Sequence, residues 1–255
     1  GYPDTGNAGN NERNISCCQT ILSGEVGTSI QSDNTRLILN LSGIKGVIVD
    51  GFIIEKGYES SSGNEGPVLI NNSNATISRC VIRNNINGKN AAGINILNST
   101  LLSINNIFEN NYSGGFDSTA AVLSAKLNST IEIVNTVIAK NRTKYILNLS
   151  DSKLKLYNST IFKNSGYSII HDTSSLEIRN SIFYFNGSGY IVDTSSFYKD
   201  VYSNLLISNT ITENYFSPNE LLFNAAPKFI DTSRIAGADN LYFSMDDGLN
   251  LINPC

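Results

Sequence analysis

Residues 131–141 read IEIVNTVIAKN, residues 154–164 read LKLYNSTIFKN and residues 176–186 read LEIRNSIFYFN. Apolar residues hold the first, third and eighth places of each stretch, and asparagine holds the fifth and the eleventh. The alternation over the opening places is the period of a strand with one buried face. Asparagine tolerates left-handed backbone angles, so the strand ends in a corner at the fifth place. A second strand follows around the apolar eighth place, and the chain turns again at the eleventh. Working outward, the same motif starts at Gly46 (GVIVDGFIIEK), Ala75 (ATISRCVIRNN), Leu101 (LLSINNIFENN) and Leu205 (LLISNTITENY), which makes seven copies whose starts lie 22 to 30 residues apart. The third place reads Ile48, Ile77, Ser103, Ile133, Leu156, Ile178 and Ile207, and the fifth reads Asp50, Arg79, Asn105, Asn135, Asn158, Asn180 and Asn209.

A third apolar run precedes most copies, as in Val68 to Ile70, Ile94 to Leu97 and Ile146 to Leu149, and each is followed by a polar turn such as NNSN, NST, SDS or DTSS. Three short strands and three corners per repeat describe one coil of a right-handed parallel β-helix, an all-β solenoid whose coils stack about 4.8 Å apart. An antiparallel sandwich would not require asparagine at the same corner in five of seven copies. The reading predicts one domain over 1–255: an N-terminal cap over 1–34, about seven coils over 35–214 and a closing segment over 215–255. Stacking brings like residues together, so Asn105, Asn135, Asn158, Asn180 and Asn209 are expected to form a structural asparagine ladder. Longer repeats carry the loops 59–66 and 111–118, the places where solenoids put binding functions.

Composition agrees. The 255 residues include 36 Asn, 32 Ser, 16 Thr and 20 Gly, with 5 Pro, 1 Met and no Trp. Hydrophobic residues make up 40% and charged residues 16%, too apolar for disorder and too rich in poor helix formers for long helices. A net charge of −4 offers no basic surface for nucleic acid, and no apolar run approaches the roughly 18 residues of a membrane span. Gly1 reads as a processed or trimmed start.

QTILSGEVGT at 19–28, VIVDGFIIEKG at 47–57 and APKFIDTSRIAGADNLYFSMDDGLNLINPC at 226–255 resemble the opening and closing segments of bacterial surface proteins with polymorphic outer-membrane-protein-like β-helix repeats, of the kind that carry a choice-of-anchor sorting domain. The resemblance implies an extracellular or cell-surface protein, an adhesin or structural module. It also implies that the chain is a module of a longer protein.

Asp172 in HDTSS and Asp193 in VDTSS lie 21 residues apart, about one coil, with the single histidine, His171, beside them. Stacked carboxylates about 5 Å apart suit a retaining glycosidase or a calcium ion. The competing reading is a corner, since Asp and Ser cap turns through the backbone. Asp239, Asp246 and Asp247 sit in a Gly-bearing loop whose carboxylates suit calcium, without the spacing of a known calcium loop; no other cofactor is expected. Cys17, Cys18, Cys80 and Cys255 fit no zinc pattern and are read as disulfide partners or inert thiols. Sequons occur at Asn14, Asn40, Asn71, Asn74, Asn98, Asn111, Asn128, Asn141, Asn148, Asn158 and Asn186, glycosylation sites if the host is eukaryotic. Val47, Val49, Leu102, Ile104, Val134 and Tyr157 fall at outward places, an apolar stripe covered either by the chain's own long loops or its segment 215–255, or by another chain. Aromatic carbohydrate platforms favour Trp, which is absent; Tyr112, Phe116, Tyr167, Tyr190 and Tyr198 are the remaining candidate sugar-contacting aromatics. The expected partners are surface glycans or other copies of the chain, joined laterally or head to tail. The expected function is a non-catalytic surface module; the alternatives are a polysaccharide hydrolase or lyase, or a glycan-binding module.

Overall fold

The computed structural model describes residues 19–60, 66–114, 120–187, 205–208, 210–212, 222–223, 226–243 and 249. Three sheets of parallel strands wrap one axis. The first sheet holds Lys45–Asp50, Asn74–Ser78, Thr100–Ile104, Thr130–Val134, Lys153–Tyr157, Ser175–Arg179 and Leu205–Ser208, one strand from each motif copy. The second sheet runs from Thr20–Ser23 through Phe52–Glu55, Val81–Arg83, Ile107–Glu109, Val137–Ala139, Thr160–Phe162 and Ile182–Tyr184 to Thr210–Thr212 and Leu222–Phe223. The third holds Leu39–Ser42, Val68–Asn71, Ala91–Leu97, Ala121–Lys126, Arg142–Ser150 and Ser165–Asp172, flanked by the two-residue strands Tyr58–Glu59, Ile86–Asn87 and Tyr112–Ser113. Every described strand pair is parallel, as between Ile133 and Leu156 or Ile138 and Ile161. The fold is the expected all-β parallel β-helix. Turns closed on all three sides are fewer than the seven expected, because residues 188–204, which precede the last copy, lie outside the described residues.

The core is a column of like residues. Ile77, Ile133, Leu156 and Ile178 from the first sheet meet Ile82, Phe108, Ile138 and Ile161 from the second and Ile70, Ile96, Leu149 and Ile169 from the third. Each such burial contributes on the order of 1.5–3 kcal/mol. At the ends, Thr20–Ser23 pairs with Phe52–Glu55 and Leu222–Phe223 with Thr210–Thr212, so segments from both ends of the chain extend the second sheet.

Two expectations need correction. The first motif copy is out of register by one residue. Val47 pairs with Ala75 and Val49 with Ile77, so Val49 faces the core (8% exposed) and Ile48 faces solvent (69%). A bulge between Lys45 and Val47 absorbs the slip, and Gly51, with φ 74°, takes the corner assigned to Asp50. A shift of one residue exchanges the two faces of a strand, so Val47 and Val49 leave the proposed outward stripe.

The second correction concerns the ladder. Asn105, Asn135, Asn158 and Asn180 do stand in a column, but they are the left-handed corner residues themselves, φ 49° to 54°, with exposed side chains; Asn209 lies outside the described residues. The hydrogen-bonded ladder is built at the eleventh place. Asn85, Asn111, Asn141, Asn164 and Asn186 are buried. Each Nδ2 donates to the Oδ1 of the next, at 3.1, 3.0, 2.9 and 3.0 Å. The same oxygens accept the backbone N–H of the preceding asparagine, at 2.9 to 3.2 Å. Geometry explains the assignment. The left-handed residue ahead of each ladder member (Asn84, Asn110, Lys140, Lys163, Phe185) turns the chain. Asn84 then donates its N–H to one neighbouring coil and Ile86 to the other, and the amide between them is met by a side chain.

The other two corners repeat the device with smaller residues. At the first corner, the N–H groups of Cys80, Asn106, Thr136 and Ser159 reach Asn106 Oδ1, Thr136 Oγ1, Ser159 Oγ and Ser181 Oγ at 2.8 to 3.4 Å. At the third, Ser73 and Ser99 donate to Ser99 Oγ and Ser129 Oγ, and Ser152 to Ser174 Oγ. Cys80 is therefore a buried member of a corner column, its Sγ 3.2 Å from the Ser78 carbonyl oxygen. No disulfide is seen among the described residues, and Cys17, Cys18 and Cys255 lie outside them.

Candidate functional site

The DTSS segment is the natural place to begin. Ser165–Asp172 ends at Asp172, Thr173 turns with φ 47°, and Ser174 enters the third corner column. The corner uses the Asp172 carbonyl, which accepts from the Asp151 N–H at 3.0 Å and from Ser174 Oγ at 2.7 Å. Its carboxylate side is exposed. Asp193 lies outside the described residues, as does the side chain of His171, so the pairing that catalysis or calcium would need is not formed by described groups. The residues of the segment that are described act as a turn.

Around that corner runs a polar trough. Asn128, Asp151, Lys153, Thr173 and Ser175 line a cavity of about 540 Å³. Asn128 also borders the next one, about 450 Å³, with Asn72, Asn74, Asn98, Thr100 and Lys45. Each coil adds a left-handed residue and a strand-opening one, so the lining repeats along the axis. Neighbouring coils are joined across it: Asn98 Nδ2 donates to Asn72 Oδ1 at 2.6 Å, and the Thr173 hydroxyl donates to the Asp151 carboxylate.

The C-terminal segment forms a second site. Phe229, Ile235, Tyr242 and Leu249 pack on Ile53, Val81, Ile107, Ala139 and Phe162, the outward face of the second sheet. The apolar stripe that the chain itself covers is thus on the second sheet. On the first sheet Leu102, Ile104, Val134 and Tyr157 are half-buried beside the in-register column Glu132–Lys155–Glu177. Beneath the C-terminal segment, Arg83 binds Glu55 at 2.7 Å and Tyr242 Oη at 2.9 Å, and the Tyr242 hydroxyl donates to the buried Glu109 carboxylate. Burial, and then the charge of Glu109, holds the Tyr242 hydroxyl protonated well above its ordinary range. Lys140 donates to the Ser233 carbonyl at 2.5 Å, and burial lowers its pKa. Hydrogen bonds from Ser233 pull Asp231 down to about 2. None of these four linked residues (Glu55, Arg83, Glu109, Tyr242) was identified from sequence. Glu55, Arg83 and Glu109 stack in register on one face, a signal visible only after the first copy is shifted by one.

A third site lies at the start of the third sheet. Tyr112, Ser113, Gly114, Arg142, Lys144 and Ser165 border an open cleft of about 430 Å³. Tyr112 and Arg142 are in register on adjacent coils, and the guanidinium stands 5.3 Å from the Tyr112 ring centre. Lys144 Nζ stands 5.2 Å from the Tyr145 ring, which contacts Tyr167 at 5.8 Å.

The remaining candidates are quickly placed. Asp239 is exposed and its carboxylate accepts the Leu241 N–H at 2.8 Å, a turn cap; Asp246 and Asp247 lie outside the described residues, as do Phe116, Tyr190 and Tyr198. Among the described residues no group of three or more His, Cys, Asp or Glu comes together. The sequons divide by burial. Asn111, Asn141 and Asn186 are ladder members and Asn148 is buried, so none can carry a glycan in the folded chain. Asn40, Asn74, Asn98, Asn128 and Asn158 are exposed, Asn71 is half-buried, and Asn14 lies outside the described residues. Among the described residues no helix is long and apolar enough to cross a membrane.

The right handed beta helix region family matches residues 66–234, more than half of the chain, and the chain belongs to that family. No curated protein and no solved structure matches it.

Proposed function

We propose that this chain is a non-catalytic extracellular β-helix module that works through surface contact, as an adhesin or structural rod. The observation that supports this reading is the repeating polar trough of the third corner. It presents a left-handed Asn, Asp or Thr and a strand-opening Asn, Thr, Lys or Ser from each coil. A surface that repeats at the coil spacing suits a ligand that also repeats, such as a glycan chain, and needs no single reactive centre. The strand carboxylates support it further. Asp50 is paired with Arg79, Glu55 with Arg83 and Glu59 with Arg36 across 23 to 29 residues of chain, which suits cohesion between coils better than proton transfer. The resemblance to bacterial surface proteins points the same way for location.

The test is to incubate the intact chain with a panel of plant, bacterial and animal polysaccharides, and to follow both co-sedimentation and the release of reducing or unsaturated ends. Co-sedimentation without new ends is the expected result. Turnover of any member would replace this reading with the polysaccharide-active one, and Asp172→Asn would then be the first variant to assay. An absence of binding to glycans and cell surfaces, together with a monomer at all concentrations in sedimentation, would remove the adhesive and rod readings alike.

A further inference from the structure

We propose that the cleft formed by Tyr112, Arg142 and Lys144 binds the anionic group of an acidic glycan. The inference names a ligand class for the surface-contact function and rests on that reading only in taking the ligand to be a polymer; it concerns a different face from the trough.

Three observations converge. First, of the six described arginines, five pair with carboxylates: Arg36, Arg79, Arg83, Arg179 and Arg234. Arg142 instead lies over the ring of Tyr112, with no described carboxylate against it. Lys144 is likewise held over a ring, that of Tyr145. An aromatic face orients a cation without neutralising it, so both charges are positioned and remain available. A guanidinium presents a fork that matches carboxylate or sulfate oxygens.

Second, the backbone is arranged to place them there. Arg142 pairs with Ser165 and Tyr145 with Tyr167, so Thr143 and Lys144 stand opposite the single residue Gly166. This bulge re-aims the Lys144 side chain toward the cleft. It depends on Gly166, whose φ is 116° and where a Cβ would fall 2.1 Å from the Thr143 carbonyl oxygen. Gly114 serves the other wall: a Cβ there would fall 2.7–2.8 Å from the Tyr112 hydroxyl and two of its ring carbons, so the absence of a side chain leaves room for the Tyr112 ring that stands against the guanidinium.

Third, the cleft is open and flanked by aromatic groups. Tyr112 and Tyr167 are 36% and 37% exposed, and the Ser165 side chain borders the cations. Sites for small molecules enclose most of their ligand; an open cleft takes a passing segment of a chain, with rings against its C–H surfaces and hydroxyls for its own. The net charge of −4 gives no general attraction for polyanions, so any such binding must be local.

The experiment is titration calorimetry of the intact chain with hyaluronate, which carries carboxylates, with heparin, which adds sulfates, and with neutral dextran. Binding of hyaluronate, heparin or both, weakened by added salt, and no binding of dextran is the expected result; which polymer binds identifies the anion. Arg142→Gln is expected to weaken binding at least tenfold. Gly114→Ala, which displaces the Tyr112 ring and with it the guanidinium, is expected to weaken it severalfold. Lys155→Gln, a charge change on the first sheet, should leave it unaltered. Failure of both acidic polymers to bind, or equal losses in Arg142→Gln and Lys155→Gln, would overturn the proposal. Turnover of either polymer would refute the non-catalytic reading while leaving this site standing, so the two fail separately.

Discussion

Two columns of asparagine run along the described coils, and they do opposite work. Asn85, Asn111, Asn141, Asn164 and Asn186 are buried, and the inner members Asn111, Asn141 and Asn164 each accept two hydrogen bonds and donate two or more from the side chain. Asn105, Asn135, Asn158 and Asn180 are exposed and contribute a backbone angle. The chemistry of the side chain is the same. What differs is whether it stands at the left-handed residue, where it points out, or just after it, where it points along the axis at an amide that no carbonyl reaches. The same rule accounts for the Ser, Thr, Cys and Asn of the other two corners.

Substitution should separate the columns sharply. Asn141→Ala strands the Asn111 backbone N–H and one of its two side-chain N–H groups, the other still reaching the Ile82 carbonyl, and removes a donor from the Phe108 carbonyl in a dry interior. At roughly 1–3 kcal/mol for each stranded group, partly relieved by relaxation, the cost is about 3–5 kcal/mol in urea melts. A loss below about 1 kcal/mol would show that the ladder is not what holds the second corner.

Next in size is Tyr242→Phe, which tests the closing segment against the coils it covers. Removing the hydroxyl strands the buried Glu109 carboxylate and should cost about 1–3 kcal/mol. It also has a pH signature. Folding holds the Tyr242 proton above the ordinary value of 10.0. The contribution is therefore complete below pH 10.0 and declines as pH rises beyond it. Melts in the alkaline range should show that decline in the parent and a shallower one in the variant; parallel curves would show that Tyr242 is not its source.

In the exposed column the expected effects are smaller. Asn135→Ala places a less tolerant residue in a left-handed corner and should cost about 1–2 kcal/mol, whereas Asn135→Gly should fall within about 0.5 kcal/mol of the parent. A large loss in the glycine variant would mean that the side chain bonds across coils after all. The smallest effect is that of a glycan on an exposed left-handed asparagine of the first or third corner. In a glycosylating host, peptide mapping of the folded fraction should find Asn98, Asn128 or Asn158 occupied, with Asn111, Asn141 and Asn186 empty and the melting temperature nearly unchanged. Occupancy at Asn141 in folded material would contradict the buried ladder.

The sequons have a structural origin. A left-handed Asn, a buried Ser and a strand-opening Thr are the corner recipe, and they spell N-S-T at Asn98, Asn128 and Asn158. Sequons at these corners follow from the fold without any requirement for sugar.

Periodicity alone was enough to read the solenoid, its three strands per coil and its inward Ile and Leu, because stacking repeats each place once per turn and every copy votes for the same face. It also showed Asn at the fifth and eleventh places, yet not which of them was buried. Pattern counts residues along the chain and carries no sign for where a side chain points after a left-handed turn. The one-residue slip at Val47 has a similar cause, since alternation cannot see a bulge. The network of Glu55, Arg83, Glu109 and Tyr242, and the meeting of Tyr112 with Arg142 and Lys144, required coordinates. Hydrogen-bonded partners lie 28 to 159 residues apart in the first case and on separate coils in the second. Local chemistry chose the strands and corners; register between coils, which no short window of sequence contains, chose which charges and rings would meet.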